Sequence, residues 1–249
     1  MQLPQFAGVA LFAAMSCSFS GAAFAEQKIV SWSGVHAGFS LGAARSTLDI
    51  DYAATPQTGG GFSALGAANI IAAGTGTIHS TGVVAGGQLG YDWQWGHLVA
   101  GGELDLSYTD LSGTRVAPVF NVPNNLHQSF ASHLFATVRG RIGVGHGPWL
   151  VYATGGLALA DLTVSDTATS AAVGTAQSSS HELRPGWTVG GGVEWMVKPR
   201  WSIKAEYLYA DLGTLTDRHA FPGAPLAVST HNHRFTQNLV RFGLNYRLP

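Results

Sequence analysis

Histidine is the residue type in this chain that most readily offers ligand chemistry. The sequence contains ten histidines, and His231 and His233 would project to the same side of an extended chain, where imidazole can bind zinc or haem iron. Structural zinc sites normally need four ligands in a defined geometry, and no compact cluster is visible in the sequence. We therefore predict no cofactor, and His231 and His233 remain the candidate ligands for a haem or metal site. Six histidines fall in or beside stretches rich in small polar residues: His79, His127, His181, His219, His231 and His233.

A hydrolytic site has weaker support. His127-Gln128-Ser129 has the His-x-Ser spacing of a lipid deacylase at a barrel rim, but many His and Ser residues make such a tripeptide common by chance. No Gly-x-Ser-x-Gly elbow is present, and no carboxylate lies close in sequence. The run 190–192 is all glycine but lacks the strand-to-helix context of a phosphate loop. We predict that the protein is not an enzyme.

A second group of residues with chemical potential is a balanced set of charges on the polar face of alternating segments. If that face lines a narrow barrel, the charges must pair, because an isolated buried charge is costly. Counting back from the turn at 198–200 places Glu194 close to opposite Lys204. We predict a salt-bridged plug; the alternative is a narrow ion path gated by these pairs. The set, called the lumen charge network below, is Asp92, Glu103, Asp105, Arg139, Arg141, Glu194, Lys204, Glu206 and Arg241.

The elements that carry these residues are predicted from a period of two. In residues 186–213 the odd positions are apolar or aromatic and the even positions are small or charged, which predicts two strands folded about 198–200. The same alternation recurs along the chain, so eight strands are predicted in all. The other six strands are predicted at 34–41, 81–93, 98–108, 132–144, 149–159 and 234–246.

Large aromatic residues cluster near the ends of these strands, with aliphatic or small residues between them. This arrangement is typical of a bilayer flanked by aromatic girdles. A soluble sandwich or lipocalin-like barrel also alternates, but its charges would face outward, whereas here the apolar face carries almost no charge over eight strands. The predicted girdle residues are Trp93, Trp149, Trp187, Trp195, Trp201, Tyr207 and Tyr209.

The predicted connections alternate in length. Tight turns at 94–97, 145–148 and 198–200 separate long segments at 42–80, 109–131, 160–183 and 212–233. The Gly-Ala-rich stretch 59–76 in the first long segment has little to fix a conformation. We predict an all-β fold: an eight-stranded antiparallel up-and-down transmembrane β-barrel with short periplasmic turns and four long external loops.

Composition and the N-terminal residues agree with an exported chain. Only 11% of the 249 residues are charged, and the net charge of −1 gives no electrostatic case for nucleic acid. An apolar run ends at Ala23-Phe24-Ala25, a small-x-small cleavage pattern, so we predict a signal peptide at 1–25 and a barrel domain at 26–249. Beyond residue 25, no apolar run has the roughly 20 residues of a spanning helix. The predicted location is the outer membrane.

The motifs VVAGGQLGYDWQ, GGELDLSY, WLVYATGGLALA, GWTVGGGVEW and WSIKAEYLYADLG resemble, in matching order along the chain, the strands of small outer-membrane β-barrels related to the opacity proteins. The chain is most similar to the major outer-membrane proteins of alphaproteobacteria, from Trp32 to Arg247. The resemblance implies outer-membrane lipid and lipopolysaccharide as surroundings, and host or envelope partners for the external loops. It also implies a structural, envelope-integrity or surface-contact role, with a porin-like channel or haem and metal binding as the alternatives.

Overall fold

Eight antiparallel strands close into a single up-and-down barrel, as the sequence predicts. The computed structural model describes residues 31–55, 63–119, 124–170, 174–221 and 224–249. The predicted signal peptide at 1–25 lies outside these residues and stays a prediction. Each strand pairs with its neighbour in sequence, and β1 closes the barrel against β8. The strands are β1 Gly34–Ala54, β2 Gly76–Trp95, β3 Leu98–Val119, β4 Asn124–His146, β5 Trp149–Ser170, β6 Gly174–Lys198, β7 Trp201–Phe221 and β8 Ala224–Arg247.

The half of the barrel next to the tight turns is apolar on its outside. Phe39, Leu106, Val138, Leu157 and Phe242 are between 58% and 69% exposed, although they belong to regular strands. In water such a continuous apolar surface would be unfavourable, whereas in lipid it is the expected outer face of a barrel whose backbone groups are all paired between strands. This half is therefore the membrane-spanning part.

The three tight turns lie at one end of the barrel, within a residue or two of their predicted places. Two of them contain a glycine with positive φ: Gly96 at 59° and Gly147 at 57°. The third contains Arg200 at φ 81°, the one described non-glycine residue in this region of conformational space. By the predicted orientation, this is the periplasmic end.

The strands are much longer than predicted, because most of each long segment continues the ladder instead of forming a loop. Residues 44–54 belong to β1, 109–119 to β3, 160–170 to β5 and 212–221 to β7. The barrel thus continues beyond the lipid-facing band, and we call this second part of the barrel the extension. The segments are external, as predicted, but they are mostly strand.

The reason for this difference is visible on β1. Its even-numbered side chains face inward throughout, yet their character changes from His36 and Ser40 in the membrane-spanning part to Leu48 and Ile50 in the extension. The outward side chains change in the opposite sense, and Asp49 is exposed. Above the membrane the outside meets water, so apolar residues move to the interior. A sequence prediction that follows apolar residues on the outward face therefore ends each strand too early, because that face becomes polar in the extension.

The interior of the extension is mostly apolar, with a few buried polar side chains such as Ser46, Gln128 and Gln237 among the apolar ones. Its apolar core begins just above the lumen charge network, and among the residues whose side chains the structure describes it includes members of every strand except β6. Phe130 and Phe235 meet edge to face with ring centroids 5.6 Å apart. The largest fully buried members are Phe135, Phe235, Leu48, Ile50, Leu111, Leu208, Leu212 and Leu239.

A helix, α1, covers the extension between β1 and β2, where the sequence offered little to fix a conformation. α1 spans Ala64–Gly74, and the hydroxyl of its N-cap Ser63 accepts a hydrogen bond from the Gly66 N–H at 3.0 Å. Alanine favours the helix intrinsically, and Ile70 packs on the apolar core of the extension. In the described part of the chain, no helix has both the length and the apolar character needed to cross a membrane.

In the extension the apolar side chains face inward, whereas in the membrane-spanning part they face outward. This difference predicts unequal effects for two leucines at neighbouring positions of the β5–β6 ladder. Leu162 is 2% exposed and points into the extension, whereas Leu183 is 56% exposed. Leu162→Ala should lower the free energy of unfolding by about 2–5 kcal/mol, since it leaves a cavity in the core. Leu183→Ala should change it by about 0.5 kcal/mol or less. Urea unfolding in lipid vesicles measures both, and equal losses would contradict the assigned faces.

Candidate functional site

The interior of the membrane-spanning part brings together every residue of the lumen charge network. All nine are buried, and none is more than 4% exposed. They come from β2, β3, β4, β6, β7 and β8, so the network reaches across the barrel and not only between neighbouring strands. An eight-stranded barrel is just wide enough for side chains, which is why charges from opposite walls can touch.

The centre of the network consists of two acids and two bases. Arg139 Nη1 donates to Glu206 Oε1 at 3.0 Å, and the same guanidinium also donates to Glu103. Lys204 Nζ lies 3.1 and 3.2 Å from the two carboxylate oxygens of Glu103 and 3.8 Å from Glu206. Each charge at the centre therefore contacts two of opposite sign, which offsets the cost of removing it from water.

Arg241 occupies the extracellular side of the network. Its guanidinium donates to Asp105 Oδ2 at 2.8 Å and to Glu206 Oε2 at 2.6 Å, with the Ser107 hydroxyl at 3.3 Å. Arg241 is fully buried and has apolar residues of the extension directly above it on β8. It therefore links two carboxylates that would otherwise face each other in a dry interior.

Arg141 has the same role on the periplasmic side. It donates to Asp92 Oδ1 at 2.6 Å and to Glu194 Oε2 at 3.1 Å. The backbone register places Glu194 directly opposite Lys204, as counted from the turn. Their predicted pairing is nevertheless not the contact that forms: Glu194 bonds to Arg141 and Ser202, and Lys204 reaches across the barrel to Glu103. Cross-strand counting locates neighbours on one wall but not partners on the opposite wall.

Sequence reasoning missed two further members of this interior, a histidine and an arginine. His36 has its Nδ1 3.3 Å from Asp92 and its Nε2 3.5 Å from Glu103. Arg247 lies 3.3 Å from Asp92 and places its guanidinium 5.4 Å from the ring centre of Trp32. His36 could have been found, because it belongs to the polar face of the first predicted strand. Arg247 lay one residue beyond the predicted end of the last strand. With Arg247, five carboxylates face five permanent cations.

Tyr152 is a further residue that the sequence left unassigned. Its hydroxyl donates to Glu206 Oε1 at 3.0 Å, and its ring lies 5.3 Å from the Arg141 guanidinium. Gly192, on the next strand, makes room for this ring, since a Cβ there would come within 2.6 Å of the Tyr152 hydroxyl. The central glycines of β6 therefore serve packing inside a narrow barrel.

Both ends of the charge network are closed by apolar side chains. At the periplasmic end, the fully buried Trp32 packs with Val99, Leu150 and Tyr152. Trp32 precedes β1 and is held there by a hydrogen bond from its backbone N–H to the Gln94 side-chain oxygen at 2.6 Å and by one from Arg247 to its backbone carbonyl. At the other end lies the apolar core of the extension. The interior therefore has three layers: an apolar layer, a charged layer and a mostly apolar layer.

The predicted girdle residues lie on the outside, at two levels. Trp149 and Trp195 stack near the tight turns with ring centroids 5.4 Å apart, and Trp187 contacts Tyr209 at 5.5 Å at the other level. Trp195 and Trp187 are both on β6, about 26 Å apart at about 3.3 Å per residue. Trp93 and Trp201 belong to the periplasmic level and Tyr207 to the band near Tyr209, all exposed outward.

The predicted histidines separate into two groups. His79, His127 and His181 are exposed on the outside of the extension, and the side chain of His219 lies outside the described set. The Ser129 hydroxyl donates to the Ser165 carbonyl at 3.4 Å and not to a histidine. His231 and His233 project to the same side, as their spacing predicts, and that side is the interior of the extension, where they are 4% and 1% exposed.

A compact cluster that the sequence did not reveal forms around His231 and His233. Asp166 of β5 joins them, and one ligand atom from each of the three lies within 4.8 Å of the others. Tyr52 stacks on His231 with ring centroids 3.7 Å apart. Burial, together with the nearby Asp166 carboxylate, raises the pKa of Tyr52 above its ordinary value, so this phenol stays protonated. Asp166 was missed because it is far from both histidines in sequence.

The lipid-facing band, the two aromatic levels and the closed, charged interior define an outer-membrane β-barrel protein of the small eight-stranded class. Residues 10–247 match the family described as "Outer membrane protein beta-barrel domain", and the chain belongs to this family.

Individual relatives agree with this membership. The 31 kDa outer-membrane immunogenic protein of Brucella melitensis is 30% identical over 178 residues, which are 68% of each chain. The 22 kDa outer membrane protein of Rhizobium leguminosarum bv. viciae is 36% identical over 128 residues, 51% of this chain and 52% of the relative. The predicted resemblance to alphaproteobacterial outer-membrane proteins is thus confirmed, as is the outer-membrane location. Both relatives are named as outer-membrane proteins and not as enzymes.

Among solved structures, the chain is similar to the outer membrane protein OprG from Pseudomonas aeruginosa, with a TM-score of 0.46 and 11% identity over 87% of this chain and 97% of that one. Neisserial surface protein A gives a TM-score of 0.37 and 15% identity, covering 84% of this chain and 97% of that one.

The charge network predicts a large cost for removing one member. Arg241→Gln should lower the free energy of unfolding by about 3–5 kcal/mol, because the carboxylates of Asp105 and Glu206 stay buried without their cation. The matched control is Arg45→Gln on the exposed face of β1, which should change stability little. Urea unfolding in lipid vesicles, followed by tryptophan fluorescence, compares the two. A loss for Arg241→Gln no larger than for the control would contradict the role given to this network.

Proposed function

We propose that the protein is a non-conducting structural barrel that supports the integrity of the outer membrane and presents its extension to partners at the cell surface. One observation carries this proposal: along the barrel axis the interior is filled first by Trp32 and its neighbours, then by paired charges, and then by an apolar core. An interior filled over this length serves to hold the barrel, not to pass a solute.

An ion path would have to break this filling at two places. In the charged layer, Lys204 and Arg241 are each held by two carboxylates, so an entering ion would compete with ion pairs already formed. Above this layer, Leu208, Leu239 and Phe135 are fully buried. Apolar constrictions exclude water, and an ion crossing one would lose its hydration without compensation. Loosening the ion pairs alone would therefore leave the barrel closed.

The outside of the extension supports a surface-contact role. Its outward side chains form hydrogen-bonded ladders between strands, such as Thr77 to Asp49 at 2.8 Å and Thr216 to Asn232 at 2.8 Å. These ladders and the apolar core behind them make a stiff, polar β-surface. The name of the Brucella relative describes an immunogenic protein, which is consistent with such a surface reaching outside the cell. Partners would meet hydroxyl, amide and carboxylate groups, while the aromatic levels meet lipid and lipopolysaccharide.

Haem binding through His231 and His233 is less compatible with the geometry. Both side chains are buried inside the extension, and Tyr52 already covers one face of the His231 ring. A porphyrin needs an open face next to its axial ligand. A conductance measurement distinguishes the porin alternative from the proposal.

The purified barrel should show no steady unitary conductance in planar lipid bilayers. The variant Glu103→Ala with Lys204→Ala removes one pair of opposite charges and keeps the apolar layer. It should also remain closed, since Leu208, Leu239 and Phe135 still fill the interior. Steady openings of the wild-type protein would overturn the proposal and favour a porin. Openings of the double variant alone would show that the charge pairs form the gate.

In the bacterium, loss of the protein should increase permeability of the outer membrane to a large hydrophobic dye. A plasmid copy of the wild type and of Arg45→Gln should restore the barrier. Arg241→Gln should restore it less well at raised temperature, since fewer barrels stay folded. Dye uptake measures this, with the folded protein in the membrane quantified in parallel. Unchanged uptake after the loss would contradict a role in envelope integrity.

A further inference from the structure

We propose that the extension contains a binding site for a first-row divalent transition-metal cation such as Zn²⁺, formed by Asp166, His231 and His233. One ligand atom from each residue lies within 4.8 Å of the other two, and all three residues are buried. A cation between these atoms would bind all three at the usual lengths of about 2.0–2.2 Å once side-chain rotations bring the ligand atoms closer together. This proposal concerns the extension and does not depend on whether the barrel conducts.

The backbone brings these ligands together from two separate strands. On β8 the inward positions alternate, so His231 and His233 both point into the extension. Asp166 comes from β5, which is separated from β8 by β6 and β7. The three ligands therefore meet across the interior, and the His231 Nδ1 is 3.5 Å from Asp166 Oδ2. A bound cation would connect two strands that share no backbone hydrogen bonds.

The donor set selects the kind of cation. Two imidazole nitrogens and one carboxylate oxygen suit zinc and other first-row transition metals, whereas Ca²⁺ and Mg²⁺ prefer sites made wholly of oxygen. Three protein ligands leave one coordination position for water in a tetrahedral arrangement. Because the neighbouring β8 residue on the inner face is the buried Phe235, the site has an apolar floor that favours direct ligation over hydration.

The surroundings hold the ligands in place. Tyr52 stacks on His231 at 3.7 Å with an interplanar angle of 22°, and Gln128 donates to the Tyr52 hydroxyl at 3.3 Å. Arg115 in turn donates to Gln128 at 2.8 Å and to the Ala73 carbonyl at the end of α1 at 3.1 Å. Groups around the ligands fix ring orientation in metal sites and contribute to affinity. This chain of contacts also links the site to the helix that covers the extension.

Two arrangements are compatible with the same three residues. Either a cation binds all three, or His231 and Asp166 contact each other directly and no metal is needed. The first arrangement uses His233 as a ligand and the second does not. The ring centroids of His231 and His233 lie 6.1 Å apart, and a ligand atom of each lies within 4.8 Å of one from Asp166, which is the proximity that the first arrangement requires.

Metal binding is tested on the full chain, folded in lipid nanodiscs and stripped with a chelator. Titration of Zn²⁺ against a chromophoric competing chelator should show about one tight site per chain. Asp166→Asn and His233→Gln keep side-chain volume but remove a ligand, so each should weaken binding at least about tenfold. The matched controls, Asp51→Asn and His127→Gln, change exposed residues of the same extension and should bind as the wild type does.

Three results would overturn the proposal: no tight site in the wild type, binding by Asp166→Asn and His233→Gln equal to that of the wild type, or loss of binding in the controls. Circular dichroism and resistance to protease show whether each variant is folded. If a variant does not fold, X-ray absorption of the zinc-loaded wild type decides, with two imidazole nitrogens expected in the zinc shell. Fewer than two would reject the site. A direct contact without metal would instead appear as His231→Gln losing stability in the presence of chelator while His233→Gln does not.

Discussion

Eight strands leave an interior barely wide enough for side chains, and every inward-facing residue of this barrel has to share that space. In the membrane-spanning part the outside must be apolar, so the polar side chains lie inside and must satisfy one another. Glu206 illustrates the constraint: it accepts from Arg139, Arg241 and Tyr152, which come from three different strands. The barrel is stable in lipid because such groups leave no charge of the network without a partner.

Above the membrane the same alternate positions of each strand still face inward, but the surroundings of the barrel change from lipid to water. The apolar residues then belong inside, and β1 changes from His36 to Leu48 on one unbroken face. The membrane-spanning part and the extension therefore have opposite distributions of polar and apolar side chains. They meet where Arg241 lies below Leu239 on β8. The charged filling and the apolar filling are therefore stacked along the barrel axis. A metal ion held by Asp166, His231 and His233 would connect β5 and β8, which are not neighbours in the barrel.

Much of the architecture was predictable because it repeats. Alternation with a period of two recurs eight times, and the tight turns at Gly96, Gly147 and Arg200 interrupt it at regular places. The members of the charge network could be named for the same reason, since they share one face. The partners could not be named. Glu194 is opposite Lys204 in register but bonds to Arg141, because contacts across the barrel depend on its diameter and strand stagger.

The sequence by itself determined the strand number, the membrane-facing side, the outer-membrane family and which side chains point inward, because these follow from local alternation and composition. Only the tertiary structure decided where the strands end, that α1 covers the extension, and that Asp166 meets His231 and His233. These features depend on closure, which brings β1 to β8 and places β5 across from β8. Distances across a closed barrel are set by all eight strands together, so no single segment of the sequence contains them.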